Sequence, residues 1–414
     1  MARLPRPAAV GGVALLALAG PVVGAAPGAS AAGSAAWQLG FLHAADANRI
    51  STGKGVVIGL VDTPVDTSVP ELRGRVREGL RLDGAKTPSA DPHGTGMADL
   101  MVGSGARSGL RGLAPGATVL SVGTASTVQA GVNEQEAYGI GWAAKHHVGV
   151  LNLSFGEGVC TLVIREAVKA AVAADVVVVA AAGNRTQGDR GVDCPARLPG
   201  VIAVTAVDQR GRFSQVSVHG PEAVLAAPGV DMTVVGPGGR LFKGSGTSAS
   251  TALVSATAAL VRAKYPRLKA PDVIARLVQT ADDAGAKGRD PEYGFGIVDP
   301  VRALTADVPH VATNPLLSGQ SAVQTSSPAT APAASAAASG GTSSAAAASA
   351  APTSSGTAAD APAPGATAAA AAPTSSGAGT STGLLVGLGA LVVVLAAGLG
   401  SLLAVRRRGS APRR

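Results

Sequence analysis

Asp62, His93 and Ser248 are the residue types of a nucleophilic relay. A serine hydroxyl is a weak nucleophile until a neighbouring base takes its proton. An imidazole can do that near neutral pH, and a carboxylate holds its tautomer and stabilises its charge. Ser248 lies in "KGSGTSASTALVSATAALV", which opens with glycines and hydroxyls and becomes an alanine-rich apolar run. His93 lies in "DPHGTGMADLM", and Asp62 closes "GVVIGLVD". Taken singly, each has an ordinary use: a strand-end cap, a turn residue and a helix N-cap. The chemistry needs all three in one place, so the elements that carry them decide the matter.

Five apolar runs, at 55–62, 117–123, 148–156, 175–184 and 200–208, are continuous and rich in valine and isoleucine. Strands covered on both faces have that pattern, whereas half-exposed strands alternate. Helical patterns occupy 131–146, 162–174, 248–264 and 270–280. Strands alternating with helices predict an α/β fold with a parallel sheet. Sites in such folds gather outside the carboxyl ends of the strands. Asp62 and Asn184 each end a strand run, and His93 and Ser248 each stand at a helix start, so all four are expected on one rim. A helix N-terminus there adds partial positive charge where an oxyanion would grow.

The flanking segments have other compositions. Residues 1–31 begin with Arg3 and Arg6, continue through a short apolar run, and end in Ala29-Ser30-Ala31, the pattern of a secretory signal peptide. Residues 308–382 are almost entirely Ala, Ser, Thr, Pro and Gly, which predicts a disordered stalk. If extended, it would reach on the order of 200 Å. Residues 383–405 carry no charge and are long enough to span a bilayer as a helix. Arg406, Arg407 and Arg408 follow, so the tail, 406–414, is expected on the cytoplasmic side. The expectation is a single-pass protein of the cell membrane with its globular part, 55–307, outside. The net charge of +8 does not point to nucleic acid, because seven of the basic residues lie in the targeting segments. Setting those and Asp360 of the stalk aside leaves 27 basic against 25 acidic side chains, with no basic cluster.

The segments "VVIGLVDT", "HGTGMA", "VLNLSFG", "VVAAAGN" and "GTSAS" resemble, in order and spacing, the signature segments of subtilases. The order Asp, His, Ser is the one subtilisin uses. "ISTGKGVVIGLVD", "YGFGIVDP" and the tail architecture further resemble mycosins, membrane-anchored subtilases of actinobacterial type VII secretion. The resemblance implies a subtilisin-like fold, a mostly parallel central sheet flanked by helices on both faces. It implies a serine endopeptidase with Asp62 as charge partner, His93 as base and Ser248 as nucleophile. Asn184 and the Ser248 N–H would form the oxyanion hole. Ser154, Phe155 and Gly156 would pair with the substrate backbone, and Ala181, Ala182 and Gly183 would wall the main specificity pocket. Protein or peptide substrates, and association with a type VII secretion membrane complex, are implied in the same way. No cofactor is implied as required. Calcium is common in the family, but no acidic cluster here has its ligand spacing, so a metal is left open.

Three positions depart from the family pattern: Pro64 and Asp99 replace usual glycines, and Ala252 a usual proline. They keep open a second reading, a binding or scaffold module that does not cleave. About 30 residues separate the expected cleavage site from Asp62, too few for a separate folding domain, so residues 32–54 are expected to pack on the body. In the subtilase plan the loops carrying Cys160 and Cys194 flank one pocket. The resemblance therefore implies a disulfide between these two cysteines, with two unpaired thiols as the alternative.

Overall fold

The computed structural model describes residues 36–84, 90–125 and 132–317. The expected signal peptide, most of the stalk, the apolar 383–405 run and the basic tail lie outside the described residues. After two short helices, α1 (Trp37–Phe41) and α2 (Ala44–Ile50), the chain enters β1 (Val57–Asp62), then β2 (Val76–Arg81). Helix α3 (His93–Val102) leads to β3 (Thr118–Gly123), α4 (Val132–Lys145) and β4 (Val150–Leu153). Then come α5 (Leu162–Ala173), β5 (Val177–Ala181), β6 (Ile202–Val207) and β7 (Leu225–Pro228). A hairpin of β8 (Met232–Val235) and β9 (Leu241–Gly244) precedes α6 (Thr247–Lys264), α7 (Ala270–Gln279) and α8 (Pro300–Thr305).

Seven strands form one sheet in the order β2-β3-β1-β4-β5-β6-β7, and every neighbouring pair is parallel. All carboxyl ends therefore fall on one edge. The central strands are buried along their length, as their unbroken apolar runs predict. The α/β architecture read from the sequence is the architecture found.

Helix α6 is the central helix, and its composition explains how it can be buried. From Ala249 to Val261 every residue is buried, and most are Ala, Ser, Thr or Val. Such small side chains let strands approach on several sides. The hydroxyls this brings inside are bonded: Ser250 Oγ donates to the Ala227 carbonyl at 2.9 Å, and Thr251 and Thr257 donate back to carbonyls one turn earlier. Helix α7 is instead amphipathic, with Val273, Ile274 and Leu277 fully buried.

Both ends of the body run past its motifs. In α1 and α2, Gln38 and Ala47 are buried, and the Ser51 hydroxyl donates to the Leu260 carbonyl of α6. At the other end, residues 308–317 were expected to belong to the stalk but pack on the body. His310 Nδ1 bonds Asp272 at 2.8 Å, Asn314 Nδ2 donates to the Gly200 carbonyl, and Gly200 N–H donates to the Leu316 carbonyl. The boundary at 307 thus falls inside packed structure, because Asn314, Leu316 and Leu317 find partners that their neighbours' composition did not suggest.

Candidate active site

Asp62 ends β1 and is 6% exposed. Its Oδ1 accepts hydrogen bonds from Thr63 N–H and from His93 Nδ1, each at 2.7 Å. Among the described residues its Oδ2 is buried with no hydrogen-bond partner. The imidazole arrives because α3 starts against the end of β1. Gly94 N–H donates to Thr63 Oγ1, and a Cβ at Gly94 would lie 1.9 Å from the Thr63 carbonyl oxygen. Only glycine permits that approach, which gives the glycine after His93 a geometric reason. Burial works against the protonated imidazole, but the Asp62 charge and hydrogen bond, with Asp91 behind them, outweigh it. The His93 pKa therefore lies above the usual histidine value.

Pro64 does not pull Asp62 away. The Asp62–His93 bond is made, and Pro64 packs against Gly123 at the end of β3. Asp99 is buried on α3, where Oδ2 accepts from Val235 N–H of β8 at 3.0 Å and Oδ1 has no partner among the described residues. Burial pushes its carboxyl up to about 7. Ala252 is fully buried in α6.

Ser248 is the second residue of α6 and shares one cavity, of about 240 Å³, with Asp62, His93 and Asn184. Its Oγ donates to the Ser154 carbonyl at 3.0 Å, while Ser154 Oγ donates to the Ser248 carbonyl at 3.0 Å. For His93 to take its proton, Oγ must first leave the Ser154 carbonyl. Asn184 is held by its amide oxygen, which accepts from Thr247 N–H at 2.9 Å and from Thr247 Oγ1. That turns its amide nitrogen away from Thr247, where it donates to Gln187 Oε1 at 3.1 Å. A substrate oxyanion would compete with Gln187 for this donor.

Of the expected substrate residues, Ser154, Phe155, Gly156, Ala181 and Gly183 line this cavity. Ala182 does not. It is fully buried, and its backbone is used by Val204 and Asp193. Cys160 and Cys194 are joined by a disulfide with Cα atoms 5.2 Å apart. Beside it, Glu157 and Cys194 exchange backbone hydrogen bonds at 2.8 and 2.9 Å. Among the described residues no group of three or more His, Cys, Asp or Glu is placed to hold a metal ion.

Two supports were not anticipated. Asn152, fully buried in β4, donates to Ser154 Oγ at 2.8 Å and accepts from Ser255 Oγ of α6 at 2.9 Å. This chain of bonds holds the strand after β4 to the helix that carries Ser248. An asparagine inside the apolar run "VLNLSFG" was the available signal, since a buried amide must find partners. The second is Thr247, whose N–H and hydroxyl orient Asn184.

The Subtilase family profile matches residues 53–296, more than half of the chain. The chain belongs to the subtilase family. It is 34% identical over 275 residues to the thermostable alkaline protease of Halalkalibacterium halodurans, covering 64% of this chain and 73% of that protein. It is 31% identical over 267 residues to subtilisin Savinase of Lederbergia lenta, covering 64% and 97%. Among solved structures, MycP1 with its N-terminal propeptide removed superposes with a TM-score of 0.59 at 30% identity, covering 66% of this chain and 98% of that one. The MycP3 protease from the type VII (ESX-3) secretion system gives 0.56 at 29%, covering 67% and 89%. These likenesses identify this subtilase as a serine endopeptidase with mycosins among its structural neighbours.

Proposed function

We propose that this subtilase cleaves peptide bonds in exported proteins, with Asp62, His93 and Ser248 as its catalytic triad and a membrane tether behind it. The observation that carries the reading is the 2.7 Å Asp62–His93 bond in the cavity that also holds Ser248 and Asn184. In the reaction, His93 Nε2 takes the Ser248 proton as Oγ attacks the substrate carbonyl carbon. The resulting oxyanion is met by the Ser248 N–H and the Asn184 amide. Collapse expels the amine, which receives the proton from His93 and leaves an acyl-enzyme on Ser248. Water, deprotonated by the same imidazole, releases the acid and restores Ser248. The uncharged 383–405 run and the arginines after it support a tether that leaves the catalytic body outside the cell. Among the described residues no helix is long and apolar enough to cross a membrane, and 383–405 lies outside them. The structural likeness to MycP1 and MycP3 supports a place beside a type VII secretion apparatus.

A fluorophosphonate probe tests the reading. The wild-type protein is expected to be labelled, and Ser248→Ala to abolish labelling. A folded wild-type protein that takes no label would hand the case to the scaffold reading.

A further inference from the structure

We propose that Asp189 and Asp193 form the acidic end of the pocket that receives the substrate side chain just before the cleaved bond, and that the pocket selects lysine or arginine there. The inference rests on the reading of 154–156 and 181–183 as the walls of that pocket. Both walls have a glycine, and both glycines pack against the Asp193 carboxyl, with Asp189 beside Gly183 as well. A Cβ at Gly156 would lie 2.9 Å from Asp193 Cβ and Oδ2. A Cβ at Gly183 would lie 2.8 Å from Asp193 Oδ2 and 3.1 Å from Asp189 Oδ2. Asp189 lines the cavity between these walls, and Asp193 packs directly behind both glycines.

Asp193 is 5% exposed, and among the described residues no N–H or O–H donor reaches its Oδ2. Its neighbour is the Asp189 carboxyl, which accepts Asn184 N–H and lines the cavity that holds Ser248. Asp189 is thus connected through Asn184 to Thr247, the residue before Ser248. The backbone fixes Asp193 where it stands. Its N–H donates to the Ala182 carbonyl, and the next residue, Cys194, is bonded to Cys160 and paired with Glu157. Glu157 adds a third carboxyl nearby. The positive charge that acts on Asp193, Arg197, has its guanidinium on the Val192 and Gly158 carbonyls.

Two carboxyls this close, with no ion pair to a cation among the described residues, are held together by a shared proton. Burial, then the Asp189 charge and hydrogen bond, push Asp193 up to about 7, with Arg197 opposing and Glu157 assisting. An ammonium or guanidinium entering the pocket would replace that proton as the bridge between the two carboxyls. The preference for a cation should accordingly strengthen as pH rises through about 7.

The test uses the full-length chain and two peptides that differ only in lysine or norleucine before the cleaved bond. The lysine peptide is expected to show a kcat/KM about 10-fold or more above its partner. Asp189→Asn and Asp189→Asn/Asp193→Asn should shrink that ratio towards one, mainly through KM. Asn keeps an acceptor for Asn184 N–H, and the wild-type ratio decides the matter even if the double variant does not fold. A second arm measures binding of both peptides to Ser248→Ala, which needs no catalysis. Tighter binding of the lysine peptide without wild-type cleavage would sustain the pocket while the endopeptidase reading failed. Equal or better cleavage and binding of the norleucine peptide would overturn the pocket while the endopeptidase reading stood. Absence of any preference in both arms overturns it as well.

Discussion

Asp62 and Glu136 are both buried acids, near enough for the charge of Asp62 to act on Glu136. Their surroundings differ in one respect. Asp62 Oδ1 has donors from the Thr63 backbone and the His93 ring, while among the described residues both carboxyl oxygens of Glu136 are buried with none. Burial, then the charges of Glu157 and Asp62, push Glu136 up to about 8. Donors turn one carboxyl into a positioning device, and their lack turns the other into a group that holds a proton at neutral pH. Burial alone says nothing about which outcome a site reaches.

The largest effect should come from removing the paired carboxyl. Asp62→Asn is expected to lower kcat about 10⁴-fold with little change in KM, because the His93 tautomer and the imidazolium lose their partner. Steady-state peptide cleavage checks this, and a loss below tenfold would detach Asp62 from the chemistry. Next is the unpaired acid. The folded state keeps a proton on Glu136 that the unfolded chain releases above about 4.5, so wild-type stability should fall as pH climbs from there through about 8. Glu136→Gln should remove that slope and be more stable at pH 9 by on the order of 4 kcal/mol. Urea unfolding at pH 5, 7 and 9 measures it, and parallel pH profiles for the two proteins would contradict it.

The paired side has its own pH signature. Since the base must be neutral and the His93 pKa is raised, kcat/KM should drop about tenfold per unit below an apparent pKa above 6.5. A limb centred below 6.5 would mean that Asp62 does not favour the protonated ring. A stability effect of the size expected at Glu136 is also expected at Asp99, which among the described residues has one donor and one orphan oxygen. Asp99→Asn keeps the acceptor for Val235 N–H and removes a carboxyl pushed up to about 7. It should gain on the order of 4 kcal/mol at pH 7, little more at pH 8 and almost nothing at pH 4. A loss of stability at pH 8 would show that the charged form is the one the hairpin needs.

The strands and helices that carry the site were legible because their burial is written in period and composition. Four strands were not. Strand β2, "VREGLR", lies at the sheet edge with its charged side chains outward, so no apolar run marks it. Strands β7, "LAAP", and β8, "MTVV", are too short to stand out, and β9 is largely exposed. Asp62, His93, Asn184 and Ser248 could be read from their motifs, and the structure brings them to one cavity. The hydrogen bonds of Ser248 and Asn184 could not, since rotamers depend on Ser154 and Gln187, which are nearby only in the fold. Asp193 carried no signal as one acid in a polar loop, and its meaning comes from two glycines 10 and 37 residues earlier.

The packing of 308–317 has a mechanical consequence. Gly200, where Asn314 and Leu316 are fastened, lies just before β6, at the amino-terminal edge of the sheet. Tension applied to the chain beyond Leu317 would enter the body there and meet backbone hydrogen bonds and the His310–Asp272 contact first. The cleft stands on the opposite, carboxyl-terminal edge. Pulling would strip this short strap from the body before any strain reached Asp62, His93 or Ser248, so the strap acts as a mechanical fuse for the cleft.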